Sequence, residues 1–442
     1  MSDSEHGKSE KFQWTAEQDQ KPERAIVLVP EFHGEQVRSR EARLEEAVSL
    51  ARAISLEVVD AGVVPIRTIK PATLFGSGKV DEITGIIKSS EIGLAIIDHA
   101  ISPKQQQNLE KEWNCKVLDR TGLILEIFGE RAQTKEGTLQ VELAHLNYQK
   151  GRLVRAWTHL ERQRGALGFV GGPGETQIEA DRRLIQERIN KLERDLAKVK
   201  KTRDLHRSKR KKVPHPVVAL VGYTNAGKST LFNLLTGADV MAKDLLFATL
   251  DPTLRQLNLP QGTRVILSDT VGFVSNLPTH LVAAFRATLE EVIEAELILH
   301  VRDIAHEDTE AQSNDVYSVL SQLGVKEDGR KKVIEVWNKV DLLDPEALQT
   351  MQDVKSDTPQ QILVSAVTGF GTDKLLEKIE DIIADSDSVI DITLPVDKLG
   401  RLPWVYENAH IIERKDLETG AVFMKIRAGR EVRSELKQIS EV

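Results

Sequence analysis

The most constraining feature of this 442-residue chain is a glycine-rich segment that directly follows an apolar run. Residues Val217 to Val221 are all apolar, and Gly222 to Ser229 then match the pattern G-x-x-x-x-G-K-S. A strand, this loop and a helix together predict a P-loop, because the loop amides and the lysine surround a phosphate chain. We expect Lys228 to bridge the β- and γ-phosphates and Ser229 to ligate Mg²⁺. The predicted nucleotide-binding residues of this loop are Gly222, Tyr223, Thr224, Asn225, Ala226, Gly227, Lys228, Ser229 and Thr230.

A second glycine–lysine sequence, Gly76-Ser77-Gly78-Lys79, does not complete the pattern. Thr73 stands where the first glycine is needed, and Val80 replaces the hydroxyl that would bind Mg²⁺. We interpret it as a turn before a helix.

Three further motifs follow the P-loop in order, each at the end of an apolar segment. Asp269-Thr270-Val271-Gly272 offers a carboxylate that holds Mg²⁺ through water and an amide that contacts the γ-phosphate. Asn338-Lys339-Val340-Asp341 places a lysine over the base and ends in a carboxylate matched to the N1–H and N2–H₂ donors of guanine, which adenine lacks. Ser365-Ala366 supplies an amide for the guanine oxygen. The series predicts a GTP site and argues against a P-loop kinase or ATPase.

A candidate switch lies between the first two motifs, and its predicted GTP-binding residues are Phe247, Ala248, Thr249, Leu250 and Asp251. Two hydroxyls, those of Thr249 and Thr253, compete for Mg²⁺ and the γ-phosphate. We favour Thr249. The alternative interpretation of Thr253 is that it only begins a strand. The predicted catalytic residues are therefore Lys228, Thr249 and Gly272, and the predicted metal ligands are Ser229 and Thr249.

The residue after Gly272 is Phe273, where many small GTPases have a glutamine that orients the attacking water. A phenyl ring forms no hydrogen bond with that water, so we expect slow intrinsic hydrolysis and stimulation by a partner. Asn225 is a candidate ligand for a monovalent cation such as K⁺. A hydrogen bond that only shapes the loop is an equally open alternative.

A basic helical segment precedes the P-loop. Apolar residues at heptad spacing predict a helix over about residues 176–205, paired with a helix at about 135–160 through a glycine-rich loop. Residues 182–212 contain fourteen Lys or Arg and four Asp or Glu, although the whole chain has a formal net charge of -8. Such local charge favours phosphate-rich RNA, and the alternative is a solvated coiled-coil face. The candidate RNA contacts are Arg162, Arg164, Arg182 and Arg183.

The overall pattern predicts an α/β fold. A P-loop GTPase domain (214–386) is preceded by a small α/β domain (24–134) and a helical hairpin with a glycine-rich loop (135–213). A disordered tail (1–23) and a small α+β C-terminal domain (387–442) complete the expected organisation. One cysteine excludes an internal disulfide framework. No run approaches the roughly 18 apolar residues of a membrane helix, so we expect a cytoplasmic protein without membrane insertion.

Several of these segments together resemble the HflX family of ribosome-associated GTPases. They are Glu161 to Gly165, Gly171 to Gln177, Asp181 to Arg183, the P-loop, Phe247 to Thr253 and Asp269 to Phe273. The resemblance implies a protein that binds the large ribosomal subunit and its rRNA through the N-terminal and helical regions, and we expect it to be a monomer. It further implies Mg²⁺-dependent GTP hydrolysis stimulated by ribosomes, and splitting of stalled or idle ribosomes under stress. From the residues alone, a ribosome-assembly or tRNA-modification GTPase and a nucleotide-gated RNA-binding scaffold stay open.

Overall fold

A computed structural model describes most of the chain: residues 22–34, 38–163, 173–210, 216–238, 246–247, 253–275, 277, 289–325, 332–354, 361–386, 389–417, 419–428, 432 and 435–436. The chain divides into two compact units, one of residues 1–130 and 148–182 and the other of residues 131–147 and 183–442. Within the described ranges, none of the helices combines the length and the apolar character needed to cross a membrane.

The first unit contains a four-stranded sheet. Its elements are β1 (Arg24–Phe32), α1 (Arg40–Ala53), β2 (Glu57–Ile66), α2 (Ser77–Ser89), β3 (Leu94–Ile97), α3 (Pro103–Trp113) and β4 (Lys116–Asp119). The strand order is β2-β1-β3-β4, and all neighbours are parallel. Residues 25–30 of β1 are all buried, as expected for a parallel strand covered on both faces. The predicted α/β class is confirmed here, although strand β2 was missed because Asp60, Gly62 and Pro65 interrupt its two pairs of valines.

Three helices follow: α4 (Arg120–Arg131), α5 (Lys135–Gln163) and α6 (Pro173–Arg210). The sequence predicts one helical segment over about 121–160, and the structure instead has two helices there, α4 and α5. A cluster of apolar side chains joins α5 to α6, and it consists of Leu139, Leu143, Leu146, Ile185, Ile189 and Leu192. Residues 164–172 of the predicted glycine-rich loop lie outside the described residues. Pro173 and Gly174, assigned to that loop, instead begin α6, because a helix tolerates proline where its first amides lack partners.

The second unit contains a six-stranded sheet. Its elements are β5 (Val217–Gly222), α7 (Lys228–Thr236), β6 (Thr253–Asn258), β7 (Arg264–Asp269), α8 (Glu290–Glu294), β8 (Leu297–Asp303), α9 (Thr309–Gln322), β9 (Lys332–Asn338), α10 (Pro345–Val354), β10 (Gln361–Leu363) and α11 (Thr372–Ser386). The order is β10-β9-β8-β5-β7-β6, with β6 antiparallel to β7 and every other pair parallel. Parallel strands end at one edge of the sheet, and this edge brings the sequence motifs together.

A three-stranded antiparallel sheet closes the chain. Its elements are β11 (Val389–Leu394), α12 (Leu402–Asn408), β12 (His410–Asp416) and β13 (Val422–Arg427), and the strand order is β11-β13-β12. Between β12 and β13, where the sequence Asp416 to Gly420 predicts a turn, Leu417 N–H donates to Ala421 O at 2.8 Å. The α/β fold class, with an α+β C-terminal portion, is therefore confirmed. The domain limits given above stay predictions.

Candidate nucleotide site

The P-loop occupies the carboxyl end of the buried strand β5 and the start of helix α7. Gly227 has φ +91°, and a Cβ atom added there would lie 2.2 Å from Asn338 Nδ2. Only glycine fits both the backbone conformation and this close approach. Asn225 also has a positive φ of 59° and is exposed. Thr224 Oγ1 is buried and has no hydrogen-bond partner among the described residues, which suits an oxygen-rich ligand.

Lys228 is the first residue of α7, and its side chain is buried. Its Nζ donates a hydrogen bond to Tyr223 O at 2.8 Å. Burial lowers the pKa of Lys228 to about 8, while the nearby charge of Asp269 opposes that shift. A buried ammonium with this environment is poorly solvated, so a phosphate group would compensate it well.

Gly272 lies beside this lysine. A Cβ atom at residue 272 would come within 2.9 Å of Lys228 Nζ and 2.8 Å of Thr224 Cγ2. Any larger residue would therefore displace the lysine or the P-loop. The absence of a side chain lets the backbone of Gly272 approach the space where a phosphate bound by Lys228 would lie.

The predicted magnesium ligands lie next to each other. Ser229 Oγ donates to Asp269 Oδ2 at 2.7 Å, and Asp269 ends strand β7 with no exposed surface. A hydroxyl oxygen and a carboxylate oxygen are ligand types that Mg²⁺ prefers, alone or through water. The residues present therefore fit this ion. Thr270 secures the end of β7, because its Oγ1 donates to Leu220 O at 2.6 Å.

Asn338 connects two loops. Its Nδ2 donates to Ala226 O at 2.8 Å, and its Oδ1 accepts from Ala366 N–H at 2.9 Å. Asn338 is 1% exposed, so these bonds are shielded from water. Its role in this arrangement is to hold the P-loop and the Ser365-Ala366 loop together.

The remaining base-site residues surround this asparagine. Lys339 has φ +66°, and its Nζ pairs with Asp303 Oδ2 at 2.7 Å. Val340 is buried in a short 3-10 helix, and Asp341 in the same turn is exposed. Ser365 is buried, and its Oγ accepts from Thr368 N–H at 3.1 Å. The carboxylate of Asp341 is therefore accessible to a ligand.

The structure describes only some of the other predicted residues. Phe247 is buried with φ +56°, whereas Ala248, Thr249, Leu250 and Asp251 lie outside the described residues. Thr253 begins strand β6, as the alternative interpretation of that threonine predicted. Thr230 lies in the first turn of α7, and Val271 is buried.

The candidate RNA contacts are partly described. Arg182 and Arg183 are exposed on α6. Arg162 lies in α5, and Arg164 is outside the described residues.

Sequence reasoning missed Asp303, the ion-pair partner of Lys339. Asp303 ends β8, a strand whose first five residues are all buried. The signal in the sequence is the apolar segment Leu297 to Leu299, which lies between the second and third motifs. His300 and Arg302 interrupt it before Asp303, so this carboxylate is harder to recognise than Asp269.

These features define the class of protein. A parallel sheet carries, at one edge, a P-loop with a buried lysine, a serine–aspartate pair and an asparagine that connects two loops. This is a P-loop GTPase.

Comparisons with known proteins identify the family. Four family models match: "GTP-binding GTPase N-terminal" at 41–129, "GTP-binding GTPase Middle Region" at 131–210, "50S ribosome-binding GTPase" at 217–339 and "HflX C-terminal domain" at 350–439. GTPase HflX of Magnetococcus marinus is 48% identical over 90% of this chain and 91% of its own length. GTPase HflX of Escherichia coli is 42% identical over 87% and 89%. The chain belongs to the HflX family of GTPases.

A solved structure of a GTP-binding protein from Sulfolobus solfataricus in complex with GDP is also similar. It is 24% identical, covers 81% of this chain and 98% of its own, and has a TM-score of 0.44. That similarity is too low to support an argument about the site.

Proposed function

We propose that this GTPase acts on the large ribosomal subunit and that its GTP-bound form splits stalled or idle ribosomes, as a cytoplasmic monomer active under stress. The observation that carries the proposal is the match of residues 217–339 to a family described as a 50S ribosome-binding GTPase. Helix α6 supports it independently through its charge.

The basic part of α6 is suited to RNA. Among its described residues, the exposed basic side chains include Arg182, Arg183, Lys191 and Arg194. Basic side chains that neutralise RNA phosphates release counterions, so we expect affinity for ribosomes to fall as salt rises. Arg188 has a different role. It pairs with Glu142 of α5 at 2.5 Å and so supports the packing of α5 against α6.

In the nucleotide site, we propose that Lys228 holds the β- and γ-phosphates and that the Gly272 amide contacts the γ-phosphate. Ser229 would hold Mg²⁺, with Thr249 as its partner from the switch segment. When bound, the ion neutralises charge that develops on the phosphates. Asp341 would select guanine, and Asn338 would keep the loops around the base in register.

Stimulation by ribosomes follows from Phe273. Its side chain is 1% exposed and lies in the protein interior, so it has neither the chemistry nor the position to orient water. We therefore propose that ribosome binding completes the hydrolytic site. A monovalent cation such as K⁺ held near the exposed Asn225 would add charge stabilisation.

Sucrose-gradient sedimentation tests the proposal. Purified 70S ribosomes are incubated with the full-length protein and a non-hydrolysable GTP analogue, and the subunit fractions are measured. We expect conversion of whole ribosomes to subunits with the GTP analogue and not with GDP. Binding to precursor particles without splitting would support the ribosome-assembly alternative instead.

Charge reversal provides matched variants for the same experiment. Replacing both Arg182 and Arg183 by glutamate should weaken sedimentation with ribosomes and lower the salt dependence of binding. The control replaces exposed Lys374 and Lys425 by glutamate, which changes the net charge equally on other surfaces. An equal loss of binding in both double variants would contradict a specific role for α6.

A further inference from the structure

A short series of hydrogen bonds connects residues 273–275, which follow the Asp269-to-Gly272 motif, to the P-loop. Phe273 N–H donates to Gly222 O at 3.1 Å, and Thr224 N–H donates to Phe273 O at 2.7 Å. These two bonds form an isolated parallel bridge between Tyr223 and Phe273. The backbone on either side of Gly272 is thereby tied to the loop that carries Lys228.

A side chain adds a third hydrogen bond to this series, two residues beyond Phe273. Ser275 N–H donates to the hydroxyl of Tyr223 at 2.6 Å, in a buried environment. Tyr223 is 4% exposed, and Phe273 and Val274 are each 1% exposed. The third bond is therefore shielded from water and depends on one phenolic oxygen rather than on the backbone.

The same residue also touches the catalytic lysine, because Tyr223 O accepts the hydrogen bond from Lys228 Nζ at 2.8 Å. Tyr223 thus contacts Lys228 through its carbonyl and Ser275 through its hydroxyl. Gly272 directly precedes Phe273, and a Cβ atom there would lie 2.9 Å from Lys228 Nζ, so no side chain fits between them. The arrangement fixes the backbone of Gly272 relative to the lysine.

We infer that Tyr223 is a positioning residue for γ-phosphate recognition: its hydroxyl holds residues 273–275 on the P-loop, so that the Gly272 amide is already in place beside Lys228 before nucleotide binds. The inference rests on the proposed nucleotide site. Preorganised donors strengthen binding because less ordering occurs when the ligand arrives. GDP has no γ-phosphate, so the effect should be confined to GTP.

The direct test is Tyr223→Phe in the full-length protein, with fluorescent mant-GDP and mant-GppNHp as probes. The variant keeps the ring and the backbone carbonyl but leaves the Ser275 N–H without its acceptor. We expect the affinity for mant-GppNHp to fall by about five- to tenfold, the equivalent of one hydrogen bond, while that for mant-GDP stays within about twofold. The ratio of the two dissociation constants is the readout, since a general loss of stability would change both.

The matched control is Tyr317→Phe. Tyr317 lies on α9, and its hydroxyl donates to Glu335 Oε1 at 3.1 Å, away from the P-loop. Tyr317→Phe removes the same hydroxyl oxygen from a partly buried tyrosine. It should leave the ratio of the two dissociation constants unchanged. An unchanged ratio in Tyr223→Phe, or an equal change in both variants, would overturn the inference.

Hydrogen exchange of the unmodified protein gives a second measurement that needs no variant to fold. In the nucleotide-free state, the amides of Phe273 and Ser275 should exchange slowly, and Ser275 should exchange at least about tenfold faster in Tyr223→Phe. Rapid exchange of both amides in the unmodified protein would overturn the inference while leaving GTP binding intact. Failure of the unmodified protein to bind either mant nucleotide would instead remove the nucleotide site on which it rests.

Discussion

The two parallel sheets of this protein use their carboxyl edges in different ways. In the four-stranded sheet, Asp98 follows β3 and pairs with Arg120, which also pairs with Glu46. In the six-stranded sheet, Asp269 ends β7 and accepts a hydrogen bond from the hydroxyl of Ser229 at 2.7 Å. The nearby Lys228 is held by a backbone carbonyl rather than by an aspartate.

The difference shows what turns a strand edge into a ligand site. In the first unit, Arg120 and Arg152 form ion pairs with the carboxylates of Glu46, Asp98 and Asp119. The negative charge at this edge is therefore compensated within the protein. In the second sheet, Gly227 allows the close approach of Asn338, and Gly272 allows the close approach of Thr224 and of the buried Lys228. The same architecture therefore serves stability in one sheet and ligand binding in the other.

The largest effect expected from this comparison is on GTP affinity. Lys228→Ala should weaken binding by at least about 100-fold, because charge-assisted hydrogen bonds contribute about 1.5–3 kcal/mol each and Lys228 would make two. Equilibrium titration with mant-GDP and mant-GppNHp measures it. The control is Lys79→Ala, which removes the lysine of the other glycine–lysine sequence, paired with Glu82 at the start of α2. Loss of GTP binding in Lys79→Ala would contradict the assignment of the nucleotide site to Lys228 in the six-stranded sheet.

The converse prediction concerns stability. Asp119 ends β4 with its side chain 3% exposed, and it accepts bonds from Tyr148 Oη at 2.5 Å, Gly122 N–H at 2.8 Å and Arg152. Burial and the charge of Asp119 raise the pKa of Tyr148, so the phenol stays protonated and donates. Asp119→Ala should lower the free energy of unfolding by about 3–5 kcal/mol, since it leaves buried partners uncompensated.

Urea unfolding and mant-GDP titration of Asp119→Ala distinguish the two roles. We expect a lower unfolding midpoint and unchanged nucleotide affinity. Asp81→Ala, at an exposed position of the same unit, is the control and should be near neutral. A weakened nucleotide site in a folded Asp119→Ala protein would contradict a purely stabilising role.

A smaller effect is predicted for base selection. Asp341→Asn should lower guanosine affinity by about tenfold or more and raise xanthosine affinity, because the amide pairs with the oxygen that replaces the guanine amino group. Competition between GDP and xanthosine diphosphate measures the change. Asp344→Asn, a nearby position in the same loop, is the control. Unchanged base preference in Asp341→Asn would remove this assignment.

The smallest expected effect is that of pH on nucleotide affinity. Burial lowers the pKa of Lys228 to about 8 in the nucleotide-free protein. Above pH 8 the lysine must regain a proton to bind phosphate, so affinity should fall with a limiting slope of about tenfold per pH unit. Between pH 8 and the ordinary lysine pKa, the unfolded chain binds more protons, so this group raises the stability of the free protein as pH rises.

Titration with mant-GDP between pH 7 and 9 measures this dependence. Lys228→Ala, assayed at higher concentrations, should lose the component above pH 8 because no ammonium remains at that position. The same slope in both proteins would assign the titration to another group.

The fold class could be predicted from local patterns, because apolar runs and glycines determine strands and turns over a few residues. For example, the apolar sequence at 25–30 predicts a strand and the sequence at 103–113 predicts a helix, and both elements form. The strand at 57–66 could not be predicted, since it is stabilised by pairing with β1 and not by its own composition. The order of strands also depends on packing between distant segments.

By itself, the sequence determined the P-loop, because its glycines, lysine and serine act over eight consecutive residues whose geometry is local. It also placed each later motif at the end of a strand. Only the tertiary structure decided that Asn338 bridges Ala226 and Ala366, that Asp303 pairs with Lys339, and that the Tyr223 hydroxyl reaches Ser275. These contacts join residues far apart in the chain, and their geometry exists only once the parallel strands have aligned at one edge of the sheet.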